Sequence, residues 1–295
     1  MKFKFIINKW GNFYFFIQSL SEWHFSCRKE YNDLWQKELG ILSPEEKKAL
    51  KTFKKIRLNH KVSKSYFEIA FFTKQNPWDY LKLNLSLEEY KDIKKVFDIF
   101  EDKFKNLYLH DLPLLKKWQI LLNKKGNQQE INQKIILTLD NLYNTNIQNK
   151  DIIVKVYLLF SSSKISGGGA NIDQKSISLE ISRLPLEEVN HTLGVIWHET
   201  IHLLFQNEMF FPLILKNNNK GENVNLINEV TTAALFPRGI LSKWFFNVNI
   251  TSNLYPRSLT PEKTTKVLKL LHNYLYNHQA LDIHYIKKIK NILEI

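Results

Sequence analysis

Two histidines and a glutamate lie close together in the second half of the chain, in the segment His198-Glu199-Thr200-Ile201-His202. Residues four positions apart share one face of a helix, so both imidazoles can bind the same ion. The carboxylate of Glu199 can then reach a water molecule held by that ion. The H-E-x-x-H pattern therefore predicts metal-assisted hydrolysis, with His198 and His202 as metal ligands and Glu199 as the catalytic base.

Chance is a poor explanation of this pattern. The chain has 295 residues and 9 histidines, and a random H-E-x-x-H match is expected about 0.02 times at this composition. The segment also has apolar neighbours on both sides, and two histidines and a glutamate are costly in so apolar a helix unless they share a partner. We therefore prefer a metal site to a pair of buried structural histidines.

A catalytic zinc site needs a third protein ligand and leaves its fourth position to water. Glu229 has 26 residues between it and His202 and lies in an apolar predicted helix at residues 225–236. Glu222 has 19 residues between it and His202, but its Lys-Gly-Glu-Asn surroundings predict a turn. A packed helix holds a ligand more rigidly than a turn does. Glu229 is therefore the favoured third ligand, and Glu222 is the alternative.

The elements that must position these residues are mainly helices. Residues 152–160 are apolar and β-branched, which is typical of a buried strand, while residues 2–8 and 176–181 alternate as strands do. The helix containing H-E-x-x-H is predicted over residues 185–205. Further helices are predicted from Ser43-Pro44-Glu45-Glu46 onward, over residues 87–107, around residues 131–142 and in two parts over residues 261–295.

The sequence as a whole predicts an α+β protein that is mostly helical, with a small mixed β-sheet near residues 151–182, next to the H-E-x-x-H helix. The pattern of residues changes after a polar stretch that ends near residue 150. Two regions are therefore predicted, a mainly helical region at 1–150 and a catalytic region at 151–295. The aromatic stripe in residues 87–107 is interpreted as core packing.

Composition and charge exclude several classes of protein. A single cysteine, Cys27, excludes a disulfide scaffold and a multi-cysteine zinc ribbon. No run of eighteen apolar residues occurs and the start does not resemble a signal peptide, so we expect no membrane span and a cytoplasmic location. Residues 1–150 hold 27 Lys and Arg against 17 Asp and Glu. A nucleic-acid-binding function for this basic half is not favoured, since no nucleic-acid-binding motif accompanies the charge.

Residues 154–236 resemble the gluzincin metallopeptidases, which bind zinc through two histidines of one helix and a glutamate further along the chain. The matching segments are H-E-x-x-H at residues 198–202 and Asn-Glu-Val-Thr-Thr-Ala at residues 228–233. The resemblance implies a zincin-like catalytic region with Zn²⁺ as its cofactor. It also implies hydrolysis of peptide bonds in a peptide or protein substrate by a metal-activated water, with Glu199 as general base.

The resemblance also implies an edge strand that pairs with the substrate backbone. Residues 167–171 are distantly similar to the Gly-Ala-Met-Glu-Asn strand of gluzincin aminopeptidases, which makes Gly168, Gly169 and Ala170 candidate substrate-binding residues. The glutamate with which that strand holds the substrate amine has no counterpart here, so aminopeptidase specificity does not follow. The alternative for these glycines is a flexible hairpin connection.

Two further parts of a gluzincin site have no clear assignment. The acid that orients a zinc histidine in thermolysin-like enzymes would lie four residues after Glu229, where this chain has Ala233, so Thr232 or another residue must take that role. The group that stabilises the oxyanion follows the third ligand. Spacing does not choose among its candidates, which are Tyr255, Arg257, His272, Tyr274, Tyr276 and His278.

A second hypothesis comes from a different class of function. The same fold could bind metal without hydrolysis and act as an interaction or regulatory protein. Glu199 argues against this, because a purely structural metal site has no use for that carboxylate.

Overall fold

The computed structural model describes residues 1–23, 34–35, 37–60, 66–161, 167–181, 183–216, 221–251 and 259–295, without the side chains of residues 207, 208, 221 and 222. Cys27 lies outside these residues. The described chain is mostly helical and contains a small mixed sheet. The predicted α+β class, with helices predominating, is confirmed.

The sheet takes one of its strands from the start of the chain. The strands are β1 (Lys2–Ile6), β2 (Ile153–Leu159), β3 (Gly167–Asn171) and β4 (Ser176–Glu180), and they lie in the order β1-β2-β4-β3. Strands β1 and β4 both run parallel to β2, while β3 runs antiparallel to β4 at the edge. The sheet is predicted near residues 151–182, but it also includes β1. This strand was not assigned to the sheet, because its local sequence does not indicate its distant partner β2.

Helices of the N-terminal half surround an aromatic core. The aromatic stripe of the long helix is buried, as predicted, with Phe97, Phe100 and Phe104 at most 1% exposed. This helix extends past residue 107 because the buried apolar spacing continues through Leu115 and Trp118. In chain order the helices are α1 (Lys9–Ser21), α2 (Pro44–Asn59), α3 (Tyr66–Glu68) with a π-helical turn (Ile69–Thr73), α4 (Pro77–Asn84), α5 (Leu87–Gly126) and α6 (Gln129–Tyr143).

The predicted start of α2 is confirmed in detail. The Ser43 hydroxyl accepts a hydrogen bond from the Glu46 N–H at 3.1 Å, and the Glu46 carboxylate accepts one from the Ser43 N–H at 2.7 Å. This reciprocal pair satisfies backbone donors that the first helical turn would otherwise leave free.

Helices of the C-terminal half differ from prediction at two places. The helix expected over residues 185–205 changes from α to π winding at Ile201, and the helix expected from residue 225 begins at Gly221 because Val224 and Ile227 continue its buried face. Glu222 therefore lies in a helix and not in a turn. After the 3-10 turns Ile172–Gln174 and Leu186–Glu188, the helices are α7 (Val189–Thr200), the π-helical segment (Ile201–Phe210), α8 (Phe211–Lys216), α9 (Gly221–Leu235), α10 (Ile240–Phe246), α11 (Pro261–Tyr276) and α12 (Ile283–Leu293).

Helix α7 is held between the sheet and the corner that joins α9 to α10. Trp197 is buried between Phe3 of β1 and Phe236 after α9, with ring centroids at 5.5 Å and 6.3 Å. The Asn190 side chain donates a hydrogen bond to the Phe246 carbonyl at 2.9 Å. A Cβ on Gly194 would come within 2.9 Å of the Pro237 backbone, so α7 approaches this corner closely. These contacts fix the helix that carries H-E-x-x-H.

None of the helices in the described part of the chain has the combination of length and apolar character that crossing a bilayer requires.

Candidate metal centre

The three predicted ligands converge on one point between α7, the π-helical segment and α9. The Nε2 atoms of His198 and His202 lie 3.1 Å apart. The Glu229 carboxylate lies 3.5 Å from both, through Oε2 to His198 and through Oε1 to His202. One ligand atom from each residue lies within 4.8 Å of the others, so the group could hold a metal ion. The imidazole side chains are 12% and 15% exposed and that of Glu229 is 36% exposed, so solvent reaches the site from the carboxylate side.

Hydrogen bonds at the far side of each ring determine which nitrogen faces the centre. His198 Nδ1 lies 3.0 Å from the Phe236 carbonyl oxygen, which can only accept, so this nitrogen carries the hydrogen. His202 Nδ1 donates in the same way to Gln206 Oε1 at 2.7 Å. In their neutral forms both rings therefore present the Nε2 lone pair to the centre, which is the tautomer that binds a metal.

The group that orients the first histidine is thus a backbone carbonyl. Thr232, one of the expected candidates, instead accepts a hydrogen bond from the Gln206 amide at 2.6 Å. Neither Phe236 nor Gln206 was predicted from the sequence. A backbone acceptor has no sequence signature, but Gln206 had one, because it follows His202 by four residues and so shares its face.

The electrostatics of the centre favour a negative charge on the Glu229 carboxyl and a positive charge beside it. Burial opposes ionisation of Glu229, but its hydrogen bonds and charge interactions with His198 and His202 outweigh burial and hold the pKa of this carboxyl far below its usual range. Burial also opposes a charge on His198, yet Glu229 and Glu199 together raise the pKa of this imidazole. A carboxylate at this position attracts a cation, whether that cation is a metal ion or a proton.

Glu199 lies beside this centre and is itself buried, with 9% of the residue exposed. Burial raises the pKa of its carboxyl, although the neighbouring His198 and His202 act in the opposite direction. The Ala170 N–H of β3 also faces this carboxylate and favours its charged form. Glu199 is therefore held between the two histidines and the edge strand, and its raised pKa suits a group that must take up and release a proton.

Residues 167–171 form the antiparallel edge strand β3 and are not an irregular connection. A Cβ on Gly168 would lie 2.8 Å from Glu199 Cγ and 2.9 Å from its Oε1, whereas a Cβ on Gly169 would meet nothing within 4 Å. Gly168 therefore allows the strand to approach the candidate base closely. The structure therefore places Gly168 and Ala170 at the site, next to the Glu199 side chain.

The remaining candidates have other surroundings or are not described. The Glu222 side chain, Tyr255 and Arg257 lie outside the described part of the structure. The Tyr274 hydroxyl donates to Asp282 at 2.9 Å, which joins α11 to α12. His272 and Tyr276 stack on each other on the exposed face of α11. These contacts do not single out an oxyanion-stabilising group.

His191 lies in the same helix as the ligands but has a different environment. The residue is 8% exposed, and its Nδ1 has no hydrogen-bond partner among the described residues. Burial, with a smaller effect from the positive charge of Arg238, lowers the pKa of His191 to about 4. It is therefore neutral in the folded protein at neutral pH.

This environment predicts a pH dependence of stability. The free imidazole has a pKa near 6.5, so the unfolded chain binds a proton that the folded protein rejects until the pH approaches 4. The stability that neutral His191 contributes to the folded protein is complete above pH 6.5 and is lost as the pH falls, by about 2 kcal/mol at pH 5. We expect urea unfolding to show that His191→Leu loses less stability than the wild-type protein between pH 7 and pH 5. Equal losses in the two proteins would contradict this assignment.

The chain matches no protein-family model, no curated protein and no solved structure. Its function therefore has to be inferred from the chemistry of the site.

Proposed function

We propose that the protein is a zinc-dependent metallopeptidase with a zincin-like catalytic region. One observation carries this proposal. In their neutral forms both imidazoles present an Nε2 lone pair to the Glu229 carboxylate, since both histidine Nδ1 atoms donate elsewhere, so three acceptors meet at the centre. Three acceptors in such proximity repel one another unless a cation lies among them.

The donor set fits Zn²⁺, which binds imidazole nitrogen and carboxylate oxygen and keeps a fourth position open in catalytic sites. His198, His202 and Glu229 would hold the ion. When bound there, zinc supplies a Lewis acid and lowers the pKa of a water molecule to about 7.

Glu199 supplies the proton transfers in the proposed reaction. Its carboxylate takes a proton from the water whose oxygen attacks the scissile carbonyl carbon, and it then delivers that proton to the leaving nitrogen as the C–N bond breaks. The nearby Ala170 N–H supports this role, because it favours the charged form of the carboxylate. A site that only held metal would gain nothing from burying this group.

An extended peptide is the proposed substrate. Strand β3 lies at the end of the strand order, so its outer edge is unpaired in the described structure, and β-strand addition would place a substrate backbone there. Gly168 and Ala170 contact Glu199, which supports a scissile bond carried along this edge. The sheet beside an H-E-x-x-H helix and the glutamate on the later helix α9 support the zincin-like assignment.

Metal analysis of the purified protein tests the site. We expect about one zinc per chain, lost in the double variant His198→Ala/His202→Ala and weakened in Glu229→Ala. Glu222→Ala is the matched control, since it removes a glutamate seven residues earlier in the same helix and should leave zinc binding unchanged.

Two results would contradict different parts of this proposal. If the wild-type protein takes up no zinc even when zinc is added, the metallopeptidase proposal fails. If Glu222→Ala weakens binding while Glu229→Ala does not, the ion is held by a different third ligand.

A further inference from the structure

Gln206 lies in the π-helical segment one turn after His202 and is almost completely buried, at 2% exposed. Its amide contacts both helices of the metal site. The oxygen faces His202 Nδ1 at 2.7 Å, and the nitrogen faces Thr232 Oγ1 of α9 at 2.6 Å. A buried amide with partners at both ends has one preferred orientation.

The orientation of this amide follows from Thr232. The Thr232 hydroxyl donates its hydrogen to the Asn228 carbonyl at 2.9 Å, so its oxygen remains as an acceptor. The Gln206 nitrogen also faces this carbonyl, at 3.5 Å. Both groups around the amide nitrogen are therefore acceptors, which directs the NH₂ toward α9 and the oxygen toward His202. The Tyr143 hydroxyl is buried next to Gln206 and Thr232.

We propose that Gln206 is a positioning residue of the metal site, which acts through His202. It holds the hydrogen on Nδ1 and keeps the Nε2 lone pair directed toward Glu229 and His198. This inference rests on the proposed metal site and adds to it a residue that never contacts the ion or the substrate.

The chemistry of this acceptor is also informative. Both orienting groups, the Phe236 carbonyl and the Gln206 amide, are uncharged. An uncharged acceptor fixes the tautomer, but it polarises the ring N–H bond less than a carboxylate does. The imidazole is therefore a weaker donor to the metal. A carboxylate in place of Gln206 should therefore strengthen metal binding, while an apolar group of similar size should weaken it.

Three variants test the inference through the affinities of the full-length protein for Zn²⁺ and Co²⁺, measured by competition with a chelator. We expect Gln206→Leu to bind zinc about 10- to 100-fold more weakly and to shift the cobalt absorption spectrum. Gln206→Glu should bind at least as tightly as the wild-type protein, since the Thr232 hydroxyl can rotate to donate to the new carboxylate oxygen. Thr231→Val in α9 is the matched control, because it removes a buried hydrogen bond of 2.9 Å to Tyr285 of α12 without reaching His202.

Unfolding of the metal-free proteins distinguishes positioning from stability. Gln206→Leu and Thr231→Val should both lower the urea midpoint, and Gln206→Leu alone should lose metal affinity. Wild-type affinity in Gln206→Leu, equal weakening in Thr231→Val, or weak binding by Gln206→Glu would each overturn this inference and leave the proposed metal site intact. A wild-type protein that binds neither metal would overturn both.

Discussion

Replacing Glu199 with glutamine is expected to slow peptide hydrolysis by about 10²- to 10⁴-fold while zinc binding is retained. Glutamine preserves the size of the side chain, and its amide oxygen can still face the Ala170 N–H. What it loses is the capacity to take a proton from water. Cleavage of a mixture of synthetic peptides, followed by mass spectrometry of the new ends, measures the rate, and metal analysis of the same samples measures the zinc.

The exposed Glu188 at the start of α7 offers a matched control. Glu188→Gln makes the same chemical change one residue before the helix begins, far from the histidine pair, and it should keep the full rate. If Glu199→Gln cleaves peptides at a rate within about tenfold of the wild-type rate, Glu199 is not the general base. If the zinc-loaded wild-type protein cleaves no peptide at all, the alternative of a catalytically silent metal-binding protein is favoured.

The residues of the site could be predicted where their chemistry depends on local spacing. The pairing of His198 with His202 follows from helical periodicity, and the preference for Glu229 follows from the apolar pattern of its helix. The structure brings these three side chains together within 4.8 Å. Their roles in metal binding and catalysis stay predictions until metal content and turnover are measured.

Other features could not be predicted because they depend on contacts that are distant in the sequence. Strand β1 was recognisable by its alternation, but its place beside β2 is set by pairing between Lys2–Ile6 and a strand in the other half of the chain. The Phe236 carbonyl that orients His198 is a backbone group, so no side-chain pattern indicates it. The change to π winding at Ile201 also has no signal in the apolar spacing, which continues through it.

These distant contacts link the N-terminal half to the site. Phe3 of β1 packs edge-on against Trp197, the residue before His198, at 5.5 Å. Asn12 of α1 is completely buried and pairs with the backbone at the end of β2, accepting from Phe160 N–H at 2.7 Å and donating to Leu158 O at 3.0 Å. The N-terminal residues thus support the sheet on which α7 rests, which gives them a structural role in the site.

Replacing Gly168 with alanine is expected to reduce hydrolysis by about 100-fold with little effect on zinc binding. The added Cβ would lie within 2.9 Å of both Glu199 and Val195 Cγ1, closer than any real contact allows. Because Val195 is packed in α7, the Glu199 side chain must move, and a displacement of about 1 Å at a catalytic group costs about two orders of magnitude in rate. The nearest neighbours of the added methyl group belong to Glu199 and Val195 and not to the three metal ligands, so metal content should stay at the wild-type level.

Gly169 provides the matched control one residue further along the same strand. A Cβ there meets nothing within 4 Å, so Gly169→Ala adds the same methyl group to β3 without touching Glu199. We expect its kcat/KM on the best-cleaved peptide to stay within about threefold of the wild-type value, while Gly168→Ala loses rate. Equal losses in the two variants would show that the substrate itself needs a glycine strand. Unchanged rates in both would remove β3 from the catalytic site, because a base in contact with Gly168 cannot accommodate the methyl group without moving.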